Sequence, residues 1–154
     1  MSSISDNISE VRERIERAAD RAGRKPEDIT LIAVTKTVGV DAVKEAINAG
    51  VTQFGENRVQ MLLEKQEDPA LTAPGVGWHL IGHLQTNKVK YVVGRVQLIH
   101  SVDSLHLAEE INRRAKKAGI VMPILLQLNI SGEETKSGLS PDGVSNFLYE
   151  FSNL

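Results

Sequence analysis

Leu31-Ile32-Ala33-Val34-Thr35-Lys36 is a run of four aliphatic residues that reaches a lysine one threonine later. The run is short and rich in β-branched residues, and Gly39 follows it closely. That pattern predicts a buried strand that releases its lysine at its C-terminal end. In α/β folds with parallel strands, ligands bind at that rim. A lysine with apolar neighbours can lose part of its hydration, which frees its amine as a nucleophile. The competing reading is an ordinary charge that marks the end of a strand, and the flanking chain has to decide.

Before this run, Ile4, Ile8, Val11, Ile15, Ala18, Ala19 and Ala22 recur at steps of three and four. They predict a helix over 4–23 with a solvated, Arg- and Glu-rich opposite face, closed by Gly23 and Pro26. After it, strand and helix alternate. Strands are predicted at 30–35, 52–54, 78–81, 97–101 and 122–130. Helices are predicted from 40 or 41 to 48, at 58–67, at 87–93 and at 104–118. A last helix is capped by Ser140-Pro141 and carries Val144, Phe147, Leu148 and Phe151 inward. The alternation predicts an α/β fold of parallel strands joined by right-handed crossovers. Five units suffice for an open, doubly wound sheet. A (β/α)8 barrel needs eight strands and typically ~250 residues, so periodicity alone favours the open sheet.

Composition narrows the function. The chain has 154 residues, enough for one domain. Hydrophobic residues make up 41% and charged residues 25%, an ordinary globular balance. A net charge of −2 offers no broad attraction to nucleic acid or anionic lipid. There is no cysteine, which excludes thiolate chemistry and cysteine-ligated metals. The start, Met1-Ser2-Ser3-Ile4-Ser5-Asp6, lacks the basic and apolar regions of a secretion signal. No apolar run approaches the ~20 residues of a membrane helix. The expected location is the cytoplasm, with no nucleic-acid or membrane partner. The basic run Arg113, Arg114, Lys116 and Lys117 reads as charge that complements a helix C-terminus.

Familiar motifs fail on inspection. Gly75-x-Gly77 precedes a strand where a dinucleotide fingerprint must follow one. Gly132 to Gly138 holds Lys136-Ser137 without the order of a phosphate loop. His79 and His83, if on a strand, lie roughly 13 Å apart, too far for one metal ion. What remains is a polar residue after every strand: Lys36, Glu56-Asn57, His83 with Gln85, Ser101 with Asp103, and Asn129 with Ser131. Their shared placement makes the rim the default site.

The same residues carry a resemblance. Ala33-Val34-Thr35-Lys36, Phe54-Gly55-Glu56-Asn57, the segment from Trp78 to Lys88, His100-Ser101-Val102-Asp103-Ser104, and Leu128-Asn129-Ile130-Ser131 with Lys136-Ser137-Gly138 look like the pyridoxal-phosphate homeostasis protein family. Those proteins are single-domain relatives of the alanine racemase N-terminal barrel. Thr35 stands where serine is common, and Arg58 where tyrosine is common. The resemblance implies a (β/α)8 barrel in which Lys36 forms an imine with pyridoxal 5′-phosphate. It implies that Asn57 lies near the cofactor, with Ser101 and Asn129 as further strand-end contacts. It implies no catalytic residue, no metal and no turnover. Such proteins bind, buffer or hand over the cofactor, with pyridoxal-phosphate-dependent apoenzymes as recipients. The alternatives are a racemase-like enzyme of the same lineage and an inactive fragment. The family continues through three further strands whose loops hold the phosphate. Residues 1–154 therefore read as one partial domain, an incomplete barrel of about five parallel strands plus an N-terminal helix. Strands one and five would then be open edges. That predicts a strand-exchanged homodimer where the family is otherwise monomeric, or else a marginally stable monomer, and a weakened cofactor site.

Overall fold

A computed structural model describes residues 3–133 and 135–152. Met1 and Ser2 of the N-terminal segment, Glu134 of the polar loop, and Asn153 and Leu154 lie outside the described residues. Five parallel strands form one sheet: β1 (Ile32–Val34), β2 (Gln53–Glu56), β3 (Gly77–Leu80), β4 (Leu98–Val102) and β5 (Ile124–Leu126). The helices are α1 (Ile4–Arg21), α2 (Val40–Asn48), α3 (Val59–Gln66), α4 (Leu105–Ala118) and α5 (Val144–Phe151). No helix among the described residues is long and apolar enough to cross a membrane.

The strand order is β1-β2-β3-β4-β5, so each strand pairs with its sequence neighbour. A doubly wound sheet reverses its order at a switch point and places helices on both faces. No reversal occurs here. Right-handed crossovers that always step the same way put their helices on one side. This is the winding of a barrel wall, and it overturns the open, doubly wound sheet that periodicity favours. β1 and β5 are the two edges of the described sheet.

Alternation along the strands divides the side chains. Phe54, Trp78, Leu80 and Ile99 enter the core, where they join Leu62, Leu71, Leu107 and Ile111 from the helical layer. Phe54 and Trp78 pack with ring centroids 5.6 Å apart, and the Trp78 indole donates to Leu71 O at 2.8 Å. The other face carries Ile32, Val34, Gln53, Gly55, His79 and His100. Gly55 is small because a Cβ there would meet Ile32 and Ile81 at 3.1 Å.

Two predicted elements differ. The 87–93 helix is a 3-10 helix over Thr86–Tyr91. Its tighter turn stacks residues three apart, which puts Val89 and Val92 together in the core. The 122–130 strand shrinks to Ile124–Leu126, followed by a single parallel bridge between Leu128 and Leu139. Pro123 has no amide to donate, and the ladder to β4 shifts register between Ile99 and Val102.

A hydrogen-bonded row crosses the face opposite the helices. Gln53 Oε1 lies 3.0 Å from His79 Nε2, and His79 Nδ1 lies 2.9 Å from His100 Nε2. With Gln53 accepting, His79 donates from Nε2 and accepts from His100 at Nδ1. Burial holds both imidazoles below their usual value, and the neighbouring His100 adds to this at His79. The unfolded chain then binds protons that the folded chain refuses. Stability from this pair is complete above the ordinary imidazole value near 6.5 and falls as pH drops through the depressed folded values. Urea unfolding at pH 7.5, 6 and 5 should show a falling midpoint. The fall should flatten in a His79→Gln, His100→Gln variant, and an unchanged pH slope there refutes the assignment.

Candidate functional site

The site is built where the strands end. β1 finishes at Val34, Thr35 closes a turn by accepting from Val38 N at 3.1 Å, and Lys36 stands exposed in that turn. Lys36 makes no hydrogen bond or ion pair with the described residues. The partial shelter expected from its apolar neighbours is not formed: Val34 beside it is itself 53% exposed.

Beneath Lys36 lies a fully enclosed ion pair. Glu56, the last residue of β2, is 0% exposed, and Lys65 of α3 is 3% exposed. Lys65 Nζ donates to Glu56 Oε2 and to Thr35 O, both at 2.6 Å. Thr35 Oγ1 donates to the same Glu56 oxygen at 2.9 Å. The other oxygen, Oε1, accepts from Asn57 N at 3.0 Å. Every charge-bearing atom of the pair therefore has a partner, as burial requires. The sequence places Glu56 among the polar strand-end residues of the rim and gives Lys65 no place in the site. The structure places both in the interior. Lys65 falls three residues after Leu62, on the inward stripe of α3, and that spacing was the available signal.

Asn57 is half-buried and leads from β2 into α3. Its backbone lies directly against Gly82. A Cβ on Gly82 would run into the Asn57 carbonyl oxygen and come within 2.7 Å of its Cα, so only glycine permits this approach. Gly82 O in turn accepts from Ser101 Oγ at 2.6 Å, and Ser101 is buried. Contacts thus run from Lys36 through Thr35, Glu56 and Asn57 to Gly82 and Ser101, across the ends of four strands. Farther along the rim, His83 Nδ1 meets Asp103 Oδ2 at 3.3 Å.

Asn129 is differently engaged. Its amide donates to Glu133 O at 2.8 Å and Lys136 O at 3.2 Å. Its carbonyl oxygen accepts from Ser131 Oγ and Gly132 N, each at 3.1 Å. The side chain organises the loop that follows β5. Gly138 packs against it, since a Cβ there would sit 2.6 Å from Asn129 N.

The residues at the ends of β1 and β2 suit an aldehyde cofactor. A primary amine with no partner among the described residues stands at the rim, and its turn is braced from below. Five consecutive parallel strands with this rim define a class, and the chain belongs to the alanine racemase N-terminal domain family, whose model matches residues 7–154. Within it, the chain is 46% identical over 147 residues to the pyridoxal phosphate homeostasis protein of Aquifex aeolicus. That alignment covers 96% of this chain and 63% of the relative. PipY of Synechococcus elongatus, solved with pyridoxal phosphate bound, is 37% identical with a TM-score of 0.77. The match covers 91% of this chain and 64% of PipY. An alanine racemase of Clostridium difficile shares the fold at 21% identity, with a TM-score of 0.66 over 83% of this chain and 33% of the racemase. The chain therefore spans somewhat under two thirds of the homeostasis relatives' length.

Proposed function

We propose that this chain holds pyridoxal 5′-phosphate through Lys36 and serves intracellular homeostasis of that cofactor without turning over a substrate. The observation that carries the reading is the exposed, unpaired Lys36 amine at the end of β1, in a chain similar to a protein solved with pyridoxal phosphate. Lys36 would hold the cofactor through its primary amine, which would condense with the aldehyde and release the aldehyde oxygen as water with the two amine protons. Bound this way, the cofactor would supply an electron sink. Asn57, at the end of the adjoining strand β2, would offer a polar contact to the bound cofactor. Ser101 acts one step back, through Gly82. Asn129 contributes by shaping the loop after β5. The name of the relatives, pyridoxal phosphate homeostasis protein, supports a homeostatic role, and the recipients in this proposal are pyridoxal-phosphate-dependent apoenzymes.

The test is to mix the protein with pyridoxal phosphate, record the visible absorption of the adduct, reduce it with borohydride and map the modified peptide. The expected result is a single adduct on Lys36 and no racemisation of alanine. A chain that gives no absorption change refutes the reading, and measurable racemisation replaces it with an enzymatic one.

A further inference from the structure

We propose that the buried Glu56–Lys65 pair is the positioning element of the Lys36 site, with one carboxylate setting both rim residues that face the cofactor. The inference rests on the reading of Lys36 as the anchor and adds residues to it. Glu56 Oε2 takes the Thr35 hydroxyl, and Lys65 takes the Thr35 carbonyl, so the residue before Lys36 is gripped at its side chain and its backbone. Glu56 Oε1 takes the Asn57 amide, so the neighbouring rim turn is fixed to the same carboxylate. Side-chain exposures of 4% and 0% for Lys65 and Glu56 shield the arrangement from bulk solvent.

Stability does not account for such a pair. Two enclosed charges forfeit their hydration, and apolar residues of similar volume would serve the core as well or better. What apolar residues cannot supply is direction. A carboxylate with four lone-pair sites and an ammonium with three donors fix two turns from two strands in one mutual geometry. The amine of Lys36 extends into solvent on a flexible stem. Its turn is the only part of it that the fold can orient, and the pair orients that turn. Lys65 and Glu56 touch no cofactor in this arrangement; they are positioning residues.

The test uses the double variant Glu56→Met, Lys65→Met, which removes both charges together. Adduct formation on Lys36 is titrated, and amide exchange is measured at Val38 and Asn57 with Phe54 as the core reference. The expected result is cooperative unfolding close to wild type, at least tenfold faster exchange at both rim amides, and binding weaker by about tenfold or more. Thr35→Val, which deletes only the hydroxyl, should weaken binding several-fold, and Thr35→Ser should match wild type. Wild-type binding and wild-type rim exchange in the double variant overturn the proposal. Should that variant not fold, Thr35→Val and Thr35→Ser decide, and equal binding by the two overturns it. If the wild-type chain forms no Lys36 adduct, the functional reading fails. The exchange measurements then still judge the positioning role by themselves.

Discussion

Replacing Lys36 with alanine should abolish the visible absorption that pyridoxal phosphate produces with the wild-type chain, and with it the borohydride-trapped product. The loss should be complete rather than graded, because a carbon–nitrogen double bond needs a primary amine at that place. Two other lysines are already engaged. Lys65 is enclosed, with both of its acceptors at 2.6 Å. Lys136 is held by Glu133 in the loop beyond β5. Lys88 lies after β3, beside a crevice of about 280 Å³ that it shares with Asn57 and His83. Lys36→Arg should fail equally, since it keeps the charge without the chemistry. Neither change should alter the unfolding free energy by more than ~0.5 kcal/mol, because the side chain is exposed and has no partner among the described residues. An adduct of undiminished yield in Lys36→Ala, mapped to Lys88, would move the anchor to the third strand.

The second large effect is on stability. Lys65→Met should cost about 3–5 kcal/mol, read from urea unfolding at neutral pH. Methionine fills the apolar part of the lysine's space but leaves Glu56 enclosed without its counter-charge. The carboxylate retains only the Thr35 hydroxyl and the Asn57 amide. Glu56→Met in the same chain should recover most of the loss, because the stranded charge goes too. Single and double variants thus separate the penalty of an unpaired buried charge from the net value of the pair. A cost below ~1 kcal/mol for Lys65→Met would mean that water reaches Glu56 when the lysine is gone.

Much of the wall was legible in the sequence. Apolar runs at Ile32, Trp78 and Ile99 and the Thr52-Gln53-Phe54 segment mark four strands, and the stripe through Leu107, Ala108, Ile111 and Ala115 marks α4. The winding was not legible in periodicity, because barrel and open sheet share the same alternation; only strand order separates them. At Thr86–Tyr91 the apolar spacing of three suits a 3-10 turn as well as an α-helix, and tertiary packing of Val89 and Val92 chose the former. At the site, Lys36 and Asn57 could be picked out because they follow strands. The support beneath them was marked only by the spacing of Lys65 three residues after Leu62 on α3, a short helix with an ordinary surface composition. The partner of Lys65 is nine residues away on another element, and local pattern does not reveal such pairs. Gly82 shows the same limit: the glycine is visible, but its reason, the Asn57 backbone against it, is a contact across strands.

The unreversed strand order also bears on how the chain acquires its structure. Each ladder joins segments only about twenty to twenty-five residues apart, as in Ile32 with Gln53 and Ile99 with Ile124, so every closure is entropically modest for a parallel sheet. A nascent chain can pair β1 with β2 once both have left the ribosome, and then add one strand at a time to a growing edge. Assembly from the N-terminus onward would place Lys36, Glu56 and Lys65 together before the later strands are synthesised.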